Sequence, residues 1–227
     1  MSAAVRLAVV VLLLALGLAA PASSQTVTDE RVWTGFTAQG RLGAGSPWRW
    51  SSDSLIRARD GVHTLDFLAE RVLISRDLTR GSSAGIGYAY GAGFLASGGT
   101  QGEHRFLQQY MWNGGGRTLS LRSRVEERFI EGNDGVLLRA RQQVRVNWPL
   151  SAAGQLQFVA SEEVFFDANS TARASRGLDS NRVFAGVRQA VTSRSAVEMG
   201  YLNLYTRIRS GPNRRSHVLS AILAVSF

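Results

Sequence analysis

From Arg117 to Trp148 the chain alternates apolar and charged side chains in a two-residue rhythm, and no other feature limits its fold so strongly. In the first half Leu119, Leu121, Val125 and Phe129 alternate with Arg122, Arg124, Glu126 and Arg128. In the second half Leu138, Ala140, Val144, Val146 and Trp148 alternate with Arg139, Arg141, Gln143, Arg145 and Asn147. Successive side chains of a β-strand point to opposite faces, so a period of two means strand. Gly132-Asn133-Asp134-Gly135 supplies the turn, making a hairpin with one apolar and one charged face.

The rhythm recurs along the chain. Ile86, Tyr88 and Tyr90 alternate with Gly85, Gly87, Ala89 and Gly91; Phe106, Tyr110 and Trp112 oppose Glu103, Arg105 and Gln109. Leu156, Phe158, Ala160, Val164 and Phe166 oppose Gln157, Ser161 and Glu163. In His63–Ile74 the reading places Thr64, Asp66 and Glu70 on one face and Leu65, Phe67 and Ala69 on the other. Further strands are read at Val32–Leu42, Arg182–Val191, Ala196–Ile208 and Ser216–Phe227, and no helix-period segment competes. Trp48–Arg59 alternates poorly and is read as loop.

Connections fall into two sets. Short turns lie at Asp77–Gly81, Asn113–Gly116, Pro149–Gly154 and Thr192–Arg194. Longer, polar ones lie at Ser97–Gly102, Glu131–Gly135, Asp167–Ser180 and Ser210–Arg215. An antiparallel meander gives two such sets, and membrane barrels have short turns at one end and long loops at the other. The expected fold is all-β, a closed antiparallel up-and-down transmembrane β-barrel. Termini at one end demand an even strand number: ten, or twelve if Trp48–Arg59 is a strand and another lies near Thr26–Trp33.

The amino terminus explains how such a chain would reach a membrane. Arg6, an apolar run from Leu7 to Ala20, and the small residues Ala22, Ser23 and Ser24 have the pattern of a cleaved secretory signal peptide, 1–24. Residues 25–227 are then one barrel domain, with no stretch apolar enough for a spanning helix. There are no cysteines, which excludes disulfides, a thiol nucleophile and thiolate-held metals. The formal charge is +9, and every basic side chain is arginine. The arginines are spread along strands among acids rather than gathered in one arm, which argues against nucleic acid as partner.

A soluble barrel would turn its apolar face inward. Three features favour the inverse. The strands run to about ten to fourteen residues, where globular strands average about five or six. Aromatics recur near strand ends (Trp33, Tyr110, Trp112, Phe129, Trp148, Phe165, Phe166, Tyr205) as in the girdles of membrane barrels. Finally, Leu219, Ala221, Leu223, Val225 and the terminal Phe227 form an apolar stripe. That ending resembles the carboxy-terminal assembly signal of outer-membrane barrels, implying the barrel-assembly machinery as a partner during biogenesis. The expected location is the outer membrane of a Gram-negative bacterium.

Four segments stand out: Glu103-x-Arg105-Phe106-x-Gln108-Gln109, Arg122-x-Arg124-x-Glu126-Glu127-Arg128, Glu163-x-Phe165 and Glu198-Met199-Gly200-Tyr201-Leu202. Together they resemble a bacterial family known only as domain of unknown function 2490. The resemblance spans Trp33 to Phe227. It implies an outer-membrane barrel and brings no activity.

If the apolar face meets lipid, the charged face lines the lumen. Its expected members are Asp66 and Glu70, Arg105, then Arg122, Arg124, Glu126 and Arg128, then Arg139, Arg141 and Arg145, with Glu163, Arg182, Arg188 and Glu198 from later strands. Arginines keep their charge, so they need carboxylates or water, and a narrow barrel is filled by its own side chains. The first reading is a structural Arg/Glu network in a largely filled lumen. A porin-like, anion-biased path is the second, because arginines exceed acids there. A barrel enzyme acting on lipid A or phospholipid is the third. The histidines weigh against it without removing it: Ser216 and His217 point to opposite faces, and His63 and His104 sit near strand starts. Enzymatic activity, cofactor and metal are not expected. The outer loop Asn169–Ser180, with Arg173 and Arg176, would meet lipopolysaccharide phosphates, and the protein would be a monomer.

Overall fold

The structure is a computed structural model that describes residues 26–114, 118–172 and 174–227. The expected signal peptide, Arg117 and Arg173 lie outside these residues. Eleven strands close into one barrel. They are β1 (Thr26–Arg41), β2 (Trp48–Arg59), β3 (Thr64–Asp77), β4 (Ser82–Phe94), β5 (Thr100–Gly114) and β6 (Leu119–Ile130). They continue with β7 (Leu137–Pro149), β8 (Leu156–Asp167), β9 (Gly177–Ala190), β10 (Ser195–Thr206) and β11 (Asn213–Ser226). No helix occurs among the described residues.

The count corrects the expected ten, or twelve. Trp48–Arg59 is strand β2, laddered to both β1 and β3. The ring then closes through a parallel seam, β1 on β11, running from Thr26↔Asn213 to Gln39↔Ser226. Closure requires only that each edge find a partner, and a parallel ladder satisfies its backbone groups as an antiparallel one does. An odd count therefore closes, and Thr26 and Phe227 lie at opposite ends of the barrel. Phe227 shares its end with the turns following β1, β3, β5, β7 and β9. Its amide bonds to the Gln39 carbonyl, and its ring stacks on Trp50 with centroids 5.9 Å apart.

Alternation decides which side chains face in. On β6, Arg124 and Glu126 are buried while Val125 and Phe129 are exposed. Two bulges interrupt the rhythm. Between β2 and β3, Arg57 pairs with Phe67 but Ala58 pairs with Leu65, so Asp66 is the extra residue. Between β8 and β9, Phe165 pairs with Ser180 but Phe166 with Leu178, leaving Asp179 extra. A bulge re-aims side chains. Each of these turns an aspartate into the lumen, Asp66 to Arg31 at 2.7 Å and Asp179 to Arg139 at 2.9 Å.

The first bulge overturns one expected face. Asp66 and Phe67 both point inward, and beyond them the parity is reversed: Leu73 is buried inside, whereas Val72, Ile74 and Glu70 face outward. Glu70 is therefore no lumen residue; it accepts from the Ser52 and Ser54 hydroxyls on the outer wall.

The interior is not wholly charged. Trp33, Val159, Phe184, Leu202, Leu204 and Val218 form a buried cluster, and Leu73, Ala89 and Leu107 a second. Trp33 and Phe165, expected in outer girdles, are 4% and 2% exposed and sit inside. The bare face of β4 makes room for such side chains: a Cβ on Gly91 would lie 2.5 Å from Phe67 Cζ, and one on Gly87 2.7 Å from Leu107 Cδ1.

Candidate functional site

The lumen holds a network of ion pairs among side chains of β5 through β10. At its centre Glu163 Oε1 accepts from Arg122 Nη2 at 2.9 Å and from Arg141 Nε and Nη2 at 3.0 and 2.8 Å. Arg141 Nη1 reaches Glu126 at 2.6 Å, and Arg124 lies 3.6 Å from the same carboxylate. Arg182 approaches Glu163 at 3.9 Å. Toward the long-loop end Glu103 accepts from Arg105 at 2.6 Å and from Arg128, and Arg139 holds Asp167 at 2.7 Å. Toward the short-turn end Arg145 and Arg188 share Glu198, at 3.0 Å for Arg145 Nη1 and 3.6 Å for Arg188. All twelve residues read from the sequence as a lumen charge network thus face the lumen and have an opposite charge within 4 Å.

Several lumen residues escaped the sequence reading. Asp53 accepts from Arg71 Nη2 at 2.7 Å and from Thr37 at 2.9 Å, and Arg57 lies against Trp33. Both sit on β2, whose outward positions are serines at 52 and 54, so the alternation carries little contrast there. Arg31 bridges Asp29 and Asp66 at 2.6 and 2.7 Å. The signal available was the arginine spacing itself, Arg57 and Arg59 falling two apart as strand neighbours do.

Because both partners of these pairs are largely shut from water, their geometry decides whether they stabilise. Arginine suits this work because its planar fork offers in-plane donors while its face remains free to lie on a ring. Three aromatic rings use that face. Arg57 lies 4.2 Å from the Trp33 ring centre and 4.8 Å from that of Phe67. Arg182 lies 5.0 Å from Trp33 and 4.3 Å from Phe165, and Arg141 4.5 Å from Phe165.

The outer wall is the opposite surface. Ile86 is 70% exposed, Leu219 63%, Met199 53% and Phe106 49%. Trp48, Trp50, Trp112 and Trp148 face outward near the short-turn end, whereas tyrosines, histidines and phenylalanines take the corresponding positions near the long loops. His104 and His217 are among the latter, each bonded through Nδ1 to a tyrosine hydroxyl across the ladder, Tyr88 at 2.6 Å and Tyr201. Ser216 points inward, away from His217, and is 1% exposed; His63 lies in the β2–β3 turn. Among the described residues, no group of three or more His, Asp or Glu side chains is placed to hold a metal ion. Two polar pairs on the wall are hydrogen-bonded across their ladders: Asn181 donates to Glu162 at 2.7 Å and Ser123 to Gln142 at 2.6 Å.

A family model described as "Protein of unknown function (DUF2490)" matches residues 30–215, which takes in all or part of every strand. The chain belongs to this family. It is also 28% identical over 213 residues to an uncharacterized protein of Methylorubrum extorquens, the match covering 92% of each chain. No solved structure matches. This DUF2490 chain is a closed β-barrel with a charged lumen and a largely apolar outer wall.

Proposed function

We propose that this DUF2490 protein is a non-enzymatic outer-membrane barrel whose Arg/Glu-braced lumen is structural. Residues 1–24 act as the export signal, the mature chain spans the bilayer, and Phe227 marks it for barrel assembly. Its partners are outer-membrane lipids and, at the long loops, lipopolysaccharide phosphates. One observation carries the reading: large apolar side chains such as Ile86, Leu219 and Phe106 lie on the outer wall while Glu126, Glu163 and Arg124 are buried within. In water that distribution leaves a continuous apolar surface exposed, whereas in a bilayer it is the favourable one. The tryptophan collar at one rim and the tyrosine–histidine collar at the other fit the two interfaces.

The test is expression of the full chain in a Gram-negative host, followed by separation of membranes on a density gradient. The barrel is expected in the outer-membrane fraction, with an electrophoretic mobility that changes on boiling. Recovery in the soluble periplasmic fraction sinks the reading.

A second reading, a narrow anion-biased path, is favoured by Arg57, which faces the lumen and, among the described residues, has no carboxylate within ion-pair distance. Planar-bilayer recording with purified protein separates the two. Anion-selective steps favour the path, and an electrically silent bilayer favours the filled, structural lumen.

A further inference from the structure

We infer that the lumen contains a binding site for a small oxyanion, a carboxylate or a phosphate group, formed by Arg57 and Arg182 around the ring of Trp33. The inference concerns the interior only and stands whether or not the barrel is in a membrane.

Cations and rings alternate across the lumen. Phe67 lies between Arg105, at 5.6 Å from its centre, and Arg57, at 4.8 Å. Trp33 follows between Arg57 and Arg182, at 4.2 and 5.0 Å, and then Phe165 between Arg182 and Arg141, at 4.3 and 4.5 Å. At the two ends of this ladder the charges are met: Arg105 holds Glu103 at 2.6 Å, and Arg141 holds Glu126 and Glu163 at 2.6 and 2.8 Å. The middle is different. Among the described residues Arg57 has no hydrogen bond and no carboxylate within 4 Å; its Nε, like that of Arg105, is buried without an acceptor. Arg182 also has a buried Nε without an acceptor. Its one carboxylate, Glu163, stands 3.9 Å away and already serves Arg122 and Arg141.

Two guanidinium groups that share one indole lie within a Debye length, ~10 Å, of each other and repel. Neither can shed its proton. Each guanidinium lies against the indole, and the Nε of each is a buried donor without an acceptor. A buried donor without a partner is destabilising, more so when it is charged. An oxyanion removes the repulsion and the orphan donors together, since carboxylate and phosphate oxygens match the guanidinium edge. A cation gains nothing there, and a neutral solute leaves the charge unmet. Chloride meets the charge but offers no pair of oxygens to the fork.

The test uses the full chain folded in detergent, with Trp48, Trp50, Trp112 and Trp148 changed to Phe so that Trp33 alone emits. Its emission is followed during titration with sodium phosphate and, separately, sodium acetate, with sodium chloride holding ionic strength constant. A saturable change with at least one anion is expected, weakened ten-fold or more by Arg57→Met and by Arg182→Met. Arg188→Gln, outside the ladder, is expected to leave it intact. Saturation by phosphate alone assigns a phosphate group, by acetate alone a carboxylate. Should Arg57→Met fail to fold, Arg57→Lys serves, since it keeps the charge and loses the planar fork; it too is expected to weaken binding ten-fold. A linear response to both anions, or unchanged affinity in the arginine variants, overturns the inference.

Discussion

Arg141 grips a single oxygen of Glu163 with two donors, Nε at 3.0 Å and Nη2 at 2.8 Å, while its third arm reaches Glu126. One side chain on β7 thereby ties β6 to β8. Glu163 is 4% exposed and also accepts from Arg122, so it is the carboxylate on which the central positive charge depends.

Loss of that carboxylate is expected to cost more than loss of any one arginine around it. Glu163→Gln leaves Arg122 and Arg141 buried with a weakened partner, and removing one member of a buried pair costs about 3–5 kcal/mol. Arg122→Met leaves Glu163 still held by Arg141 and is expected to cost less than half as much. Urea unfolding of the barrel in detergent measures both. Equal midpoints for the two variants contradict the assignment of Glu163 as the shared acceptor.

The outer wall should resist charge most strongly at mid-height. Val125→Arg places a cation on the face that is proposed to meet lipid, where arginine costs about 2–4 kcal/mol. Gln143→Ser, on the inner face of the adjacent β7, is expected to be nearly silent. Unfolding in lipid vesicles checks this. A tolerated Val125→Arg argues against a lipid-facing wall.

Room for the inner side chains comes from the bare face of β4. In Gly91→Val the new Cβ would begin 2.5 Å from Phe67 Cζ, so Phe67 or the strand must move. Overpacking of this kind costs about 1–3 kcal/mol. Gly91→Val combined with Phe67→Ala is expected to recover part of the lost stability, and the same urea series reads it. Failure of the second change to compensate argues that the clash lies elsewhere.

The odd strand number has a topological signature, which the absence of native cysteine makes easy to read. With a membrane-impermeant thiol reagent on intact cells, Asp134→Cys in the β6–β7 loop should label. Ser193→Cys in the β9–β10 turn should label only after permeabilisation. Thr28→Cys, paired with Arg215 near the long-loop end, should label with Asp134→Cys. In a barrel of ten or twelve strands with both termini at one end, Thr28→Cys would behave like Ser193→Cys.

What the sequence alone determined was everything that follows from a period of two. The Arg122–Arg128 and Arg139–Arg145 stretches alternate cleanly over regular ladders, so their strands, hairpin and charged face are legible residue by residue. Alternation fixes which residues share a face but is silent on what interrupts it. Asp66 could not be recognised as the extra residue of a bulge, because a bulge exists only relative to a partner strand. One such residue sent Glu70 to the outer wall and brought Phe67 inside. Closure was equally hidden: the parallel seam of β1 on β11 joins the first and last of the described strands, and no local pattern reports a pairing so remote. Tertiary structure also put Trp33 and Phe165 in the lumen, where Trp33 packs in the cluster of Val159, Phe184 and Val218 and the guanidinium groups of Arg57, Arg141 and Arg182 lie against the two rings.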